Sequence, residues 1–188
     1  MAGAPIQRRQ FQALLGAAAL AGWPGARAAG EMALFDAHIH YSHDAWDLVP
    51  PQQAVAILRQ AGLRGALLSS SNDQGTQMLA AAAPELIVPS LRPYRTRGEI
   101  GSWVRDDSVL RYLGERLARY RYAAVGEFHL YGEDADLPVP RRMVAMAREH
   151  GASFVGANCG LGIEAYIGIA RAFAACGSEL PIWIKGNA

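Results

Sequence analysis

The chain is poor in the residues that would mark it as disulfide-stapled, nucleic-acid-binding or membrane-embedded. It has two cysteines in 188 residues, Cys159 and Cys176. Two thiols cannot build a disulfide framework or a four-thiolate zinc site, and allow at most one disulfide. Charge of one sign is also lacking, since the formal net charge is +1. Three of the 18 basic residues (Arg8, Arg9 and Arg27) fall in the first 28 positions, which hold no acid. Residues 29–188 therefore carry 15 basic against 17 acidic side chains, a formal charge of −2. That balance gives no electrostatic footprint for a nucleic acid. Beyond residue 28 no apolar run is long enough to cross a bilayer, so the mature chain has no membrane span. Gly156 to Gly162 lacks the spacing of a phosphate-cradling loop, and no nucleotide is expected. Low-complexity linkers and internal repeats are absent. What is present, 51% hydrophobic residues and 20 glycines, is the composition of a folded domain rather than a disordered one. The length favours one domain around one core.

The leader reads as an address. Arg8-Arg9-Gln10-Phe11 is followed by an apolar run from Ala13 to Trp23 and an Ala-x-Ala exit at Ala26-Arg27-Ala28. A charged start, a short apolar stretch and small residues at the exit describe a bacterial export signal over residues 1–28. The paired arginines before a phenylalanine resemble the twin-arginine variant, which exports folded proteins. The expected partner is then the twin-arginine export machinery, and the expected location is periplasmic or secreted. A metal enzyme behind such a leader would take up its ion in the cytoplasm. The competing reading, a short buried or membrane helix, is opposed by the length of the run and by Trp23-Pro24-Gly25.

The remainder alternates short β-rich runs with amphipathic segments. The runs are 33–40, 65–69, 85–89, 123–130, 153–157 and 181–185. Helices are expected over 51–61 (Ala54, Ile57 and Leu58 on one face), 106–119 (Leu110, Leu113 and Leu117), 141–150 and 164–175. Apolar strands separated by helices imply parallel pairing through right-handed crossovers. The expected fold is α/β, a (β/α) barrel of the TIM type over residues 29–188. Six strands fall short of the eight that close such a barrel, so the barrel is expected to be incomplete.

Residues two apart on a strand share a face, which puts His38 and His40 together at the C-terminal end of the first strand, where barrel enzymes keep their chemistry. Two neutral imidazoles there can grip a divalent cation, with Asp36 and His43 as outer partners. A solvated strand end is the alternative. Glu127 and His129 repeat the spacing on the fourth strand. A carboxylate buried beside two imidazoles is costly unless a cation neutralises it, which gives Glu127 a ligand or bridging role. The alternatives are a surface glutamate and a histidine facing water.

Phe35-Asp36-Ala37-His38-Ile39-His40, followed by a short polar loop, resembles the opening of the metal-dependent amidohydrolase superfamily. Val125-Gly126-Glu127-Phe128-His129-Leu130-Tyr131-Gly132 resembles a fourth strand of exported TIM-barrel members. The likeness covers about residues 33–150. It implies a metal-dependent hydrolase acting on a small molecule, with His38 and His40 as first-strand ligands of a divalent ion, zinc by expectation, and Glu127 as the carboxylate on the metal. His129 and Asp36 are further candidates for the metal or its surroundings. The cation would lower the pKa of a bound water and polarise the scissile bond. Decarboxylases and lactonases share this apparatus, so the substrate stays open. The later histidines and the eighth-strand aspartate that the resemblance implies have no counterpart, because no histidine follows His150 and no acid follows Glu179. His150, before Gly151, reads as a helix end.

From Gly151 the chain resembles a second barrel family. Gly156-Ala157-Asn158-Cys159-Gly160 and Pro181-Ile182-Trp183-Ile184-Lys185-Gly186-Asn187 are similar to part of the homocysteine S-methyltransferase barrel. That likeness covers about 151–188 and implies Cys159 as a zinc thiolate in a methyltransferase fragment. The alternative for Cys159 is a small buried hydrophobe. A junction between the two likenesses falls near residue 151. Arg92-Pro93-Tyr94-Arg95-Thr96-Arg97 reads as a solvated loop, or as arginines that could hold an acidic substrate group. Trp103, Trp183 and the tyrosines at 112, 120 and 122 are expected core or rim aromatics.

Overall fold

A computed structural model describes residues 33–159, 163–176 and 179–186. The export leader over 1–28 lies outside the described residues. Among the described residues there are six strands: β1 (Leu34–Ile39), β2 (Leu63–Leu68), β3 (Ile87–Leu91), β4 (Ala124–His129), β5 (Phe154–Cys159) and β6 (Ile182–Gly186). The helices are α1 (His43–Trp46), α2 (Pro51–Gln60), α3 (Gln74–Ala82), α4 (Ser108–Arg119), α5 (Pro138–Glu149) and α6 (Ile163–Ala175). Every neighbouring pair of strands is parallel. The sheet runs β1-β2-β3-β4-β5-β6. A doubly wound sheet would reverse direction partway across; this one never does. Among the described residues the fold is α/β of the (β/α)-barrel type, an incomplete barrel with six of the eight strands that close one.

Burial follows from strand position. β4 is central, and all its residues but His129 are buried. β1 lies at the edge, where Leu34 and Phe35 stay 42% and 56% exposed. Two apolar clusters fill the space between sheet and helices. One, beneath the first three strands, gathers Val55, Leu68, Leu79 and Ile87. The larger gathers Leu91, Trp103, Leu113, Phe128, Val155 and Phe173. Each large side chain of this kind contributes about 1.5–3 kcal/mol by leaving water.

Helical faces differ in detail from the sequence expectation. In α2 the buried position is Val55, flanked by half-buried Ala54 and Leu58, while Ile57 is 50% exposed. The inward stripe is 51, 54, 55 and 58, and Ile57 falls outside that i, i+3, i+4, i+7 set. In α4 the stripe is Val109, Leu113 and Leu117, with Leu110 only half-buried. Helix α3 was not expected, because its buried face is built from Gly75, Thr76 and Leu79 and carries little apolar contrast. Helix α5 ends as expected at His150. Gly151, at φ +73°, donates to the Arg148 carbonyl at 3.0 Å, and Ala152 donates to that of Ala147 at 2.9 Å. This paired closure satisfies orphan carbonyls and suits a residue without a Cβ. Among the described residues no helix is long and apolar enough to cross a membrane.

Candidate metal centre

Parallel strands place their C-terminal ends on one rim, and three of those ends meet here. His38 lies in β1 and His40 one residue past its end, as the two-residue period requires. Glu127 lies in β4, and Arg92 directly follows β3. Nε2 of His38, Nε2 of His40 and an oxygen of Glu127 all lie within 4.8 Å of one another. The two Nε2 atoms are 2.9 Å apart. Oε2 of Glu127 is 3.0 Å from the first and 3.3 Å from the second. Donors bound to a tetrahedral zinc ion at roughly 2.0–2.1 Å stand about 3.4 Å from each other. The three atoms form a possible metal-binding triad of nearly that size.

The surroundings set the state of each ligand. Nδ1 of His40 donates to the Ser69 carbonyl at 2.6 Å. That bond places the proton on Nδ1 and leaves the Nε2 lone pair turned into the triad. Burial, then the nearby Arg92 charge, lowers the His40 pKa from 6.5 to about 4, so the ring is neutral at pH 7. Asp36 supports the strand, its Oδ1 accepting the His38 amide at 2.9 Å.

Glu127 is buried at 4% exposure and is no surface glutamate. Its neutralising cation within the protein is Arg92, a residue expected in a solvated loop and in fact 6% exposed. Nη2 of Arg92 donates to Glu127 Oε2 and to His40 Nε2, the latter at 3.2 Å. Nε donates to the Glu127 main-chain carbonyl at 2.9 Å, and Nη1 donates to Ser71 Oγ at 2.8 Å. The loop reading holds further along, where Arg97 is exposed and pairs with Asp44 at 3.2 Å. Tyr94 is also fully buried, with the Arg92 guanidinium 5.4 Å from its ring centre. The spacing of two that marked His38 and His40 had no counterpart at Arg92, and the expected third strand ended at residue 89, two short of the observed end of β3 at Leu91.

Of the other candidates, His129 and His43 are not among the ligand atoms that converge within 4.8 Å. His129 is half-buried at the end of β4, where its Nδ1 and the Tyr94 hydroxyl share a hydrogen bond of 3.2 Å. Trp103 Nε1 donates to the His129 carbonyl at 2.9 Å and pins the strand end. Burial lowers the His129 pKa. His43, considered as an outer partner, is exposed at the start of α1 and packs edge-on to Trp46, with ring centres 6.4 Å apart. Cys159 ends β5, opposite Gly186 of β6 in register, and its side chain lies outside the described residues. Cys176 is a free thiol.

No protein-family model, no curated protein and no solved structure matches this chain.

Proposed function

We propose that this chain is a metal-dependent hydrolase of the amidohydrolase type, with His38, His40 and Glu127 holding one divalent ion, zinc by the chemistry of its donors. Two imidazoles and one carboxylate suit that ion and leave a coordination position open, as catalytic rather than structural sites do. The observation that carries the reading is the approach of three ligand atoms to within 4.8 Å across two strands that share no sequence neighbourhood. A bound ion of this kind supplies an activated water and polarises a carbonyl. The protein's own contribution is to fix the His40 tautomer through the Ser69 carbonyl and to set the Arg92 guanidinium against the Glu127 carboxyl group. The substrate is a small molecule entering from the rim of the strand ends. Export through the twin-arginine route to the periplasm belongs to the same proposal and rests on Arg8, Arg9 and the apolar run behind them.

Elemental analysis and zinc titration of the purified chain test the site. The expected result is about one zinc per chain, with affinity at least a hundred-fold weaker after Glu127→Gln or His38→Ala. Protein without zinc affinity, or variants that bind it equally well, would overturn the reading. Methyl transfer through Cys159 has no described side chain in its support.

A further inference from the structure

The Arg92 guanidinium is held in place by partners outside the ligand triad. Nε is committed to the Glu127 main-chain carbonyl and Nη1 to Ser71 Oγ. The aromatic face of Tyr94 backs the group at 5.4 Å. None of these three contacts uses an atom that a cation at the triad would take. Nη2 differs, because it faces Glu127 Oε2 and His40 Nε2. A neutral imidazole nitrogen has a single lone pair. A cation that takes the His40 lone pair leaves an Nη2 hydrogen without that acceptor, in a side chain that is 6% exposed. Buried charged donors need acceptors, and an oxygen filling the open coordination position would supply one.

Charge points the same way. A divalent ion, one carboxylate and one guanidinium among neutral imidazoles sum to about +2, and still about +1 if Asp36 is counted. A neutral ligand would leave that charge uncompensated.

We infer that Arg92 is the anion receptor of this centre: its Nη2 binds an anionic oxygen of the ligand at the triad, so the site takes small carboxylates in preference to their neutral amides. This rests on the metal reading above and adds the chemical class of ligand. A guanidinium suits the task because its planar fork can be anchored on one edge and still present the other.

The test uses the full chain loaded with cobalt(II), whose visible absorption reports on the coordination sphere. Acetate and its neutral isostere acetamide are titrated separately at fixed ionic strength. In the unaltered protein acetate is expected to bind at least ten-fold tighter than acetamide. Arg92→Met should weaken acetate at least ten-fold, leave acetamide within two-fold, and tighten cobalt binding by removing a like charge. If Arg92→Met does not fold, Ser71→Ala removes the Nη1 anchor and should weaken acetate several-fold. Equal binding of acetate and acetamide, or acetate affinity unchanged by these substitutions, would overturn the inference while the metal reading stands. A chain that takes up no cobalt would overturn the metal reading, and the inference with it.

Discussion

Arg92 grips Glu127 twice, through Nε on the main-chain carbonyl and through Nη2 on the carboxylate. One side chain thus ties the end of β3 to β4 and supplies the counter-charge for a carboxylate that is 4% exposed. Burying such a pair costs desolvation on both sides, and removing one partner strands the other.

Arg92→Met should therefore destabilise the metal-free protein by about 3–5 kcal/mol. Zinc, by replacing the lost positive charge, should restore more stability to the variant than to the unaltered chain. Denaturant unfolding with and without zinc reads both effects, and equal gains in the two proteins would contradict the counter-charge role.

His40 provides a pH signature. Its pKa in the metal-free fold is about 4, below its ordinary 6.5. Between those values the unfolded chain binds more protons than the folded one, so stability rises with pH through that window. The contribution is complete above pH 6.5 and is lost as pH falls towards 4. Comparing the unaltered protein with His40→Gln by urea unfolding should show their difference shrinking over that range and flat above it. A resonance assigned to the His40 ring, by its loss in His40→Gln, that titrates near pH 6.5 would refute the assignment.

A second buried ion pair, away from the triad, secures α3 against α4. Arg116 bonds Asp73 Oδ2 through Nε, at 2.8 Å, and through Nη2, while Tyr122 donates to the same oxygen at 2.6 Å. Tyr122→Phe should cost about 1.5–3 kcal/mol, the range for a hydrogen bond to a charged group. Arg116→Leu should cost about 3–5 kcal/mol, because it leaves a carboxylate that is 1% exposed without its cation. Urea midpoints at constant slope would measure both.

Glycines at two helical positions should respond oppositely to alanine. A Cβ at Gly75 would stand 1.8 Å from the Tyr41 carbonyl oxygen, where the chain leaving His40 crosses α3. Gly75→Ala should cost about 3 kcal/mol or more by forcing backbone apart, and should disturb the position of His40 in the candidate triad. At Gly168 in α6 a Cβ would meet nothing within 4 Å. Gly168→Ala should stabilise by about 0.5–1 kcal/mol, by lowering the entropy of the unfolded chain and raising helix propensity. Thermal unfolding of the two variants provides the comparison.

Local patterns carried much of this protein in its sequence. Alternating apolar runs and amphipathic segments imply a parallel α/β sheet, and six strands are found. The shared face of His38 and His40 needs only the two-residue period of a strand, and the closure of α5 at His150 needs only the glycine that follows it. Helix α3 was illegible because Gly75 and Thr76 are buried for want of bulk, a matter of fit to the neighbouring chain rather than of hydrophobicity.

Only tertiary structure decided which side chains meet. His40 and Arg92 are 52 positions apart, and Arg92 and Glu127 are 35 apart. Their contact depends on the order and register of β1, β3 and β4, which long-range packing sets and no local period encodes. For the same reason Arg92 read as a solvated loop residue: its exposure depends on whether an acid waits across the rim, and Glu127 does. Sequence alone set what each strand could present on its inner face; the bringing of three strand ends to one rim determined that two imidazoles, a carboxylate and a guanidinium would share it.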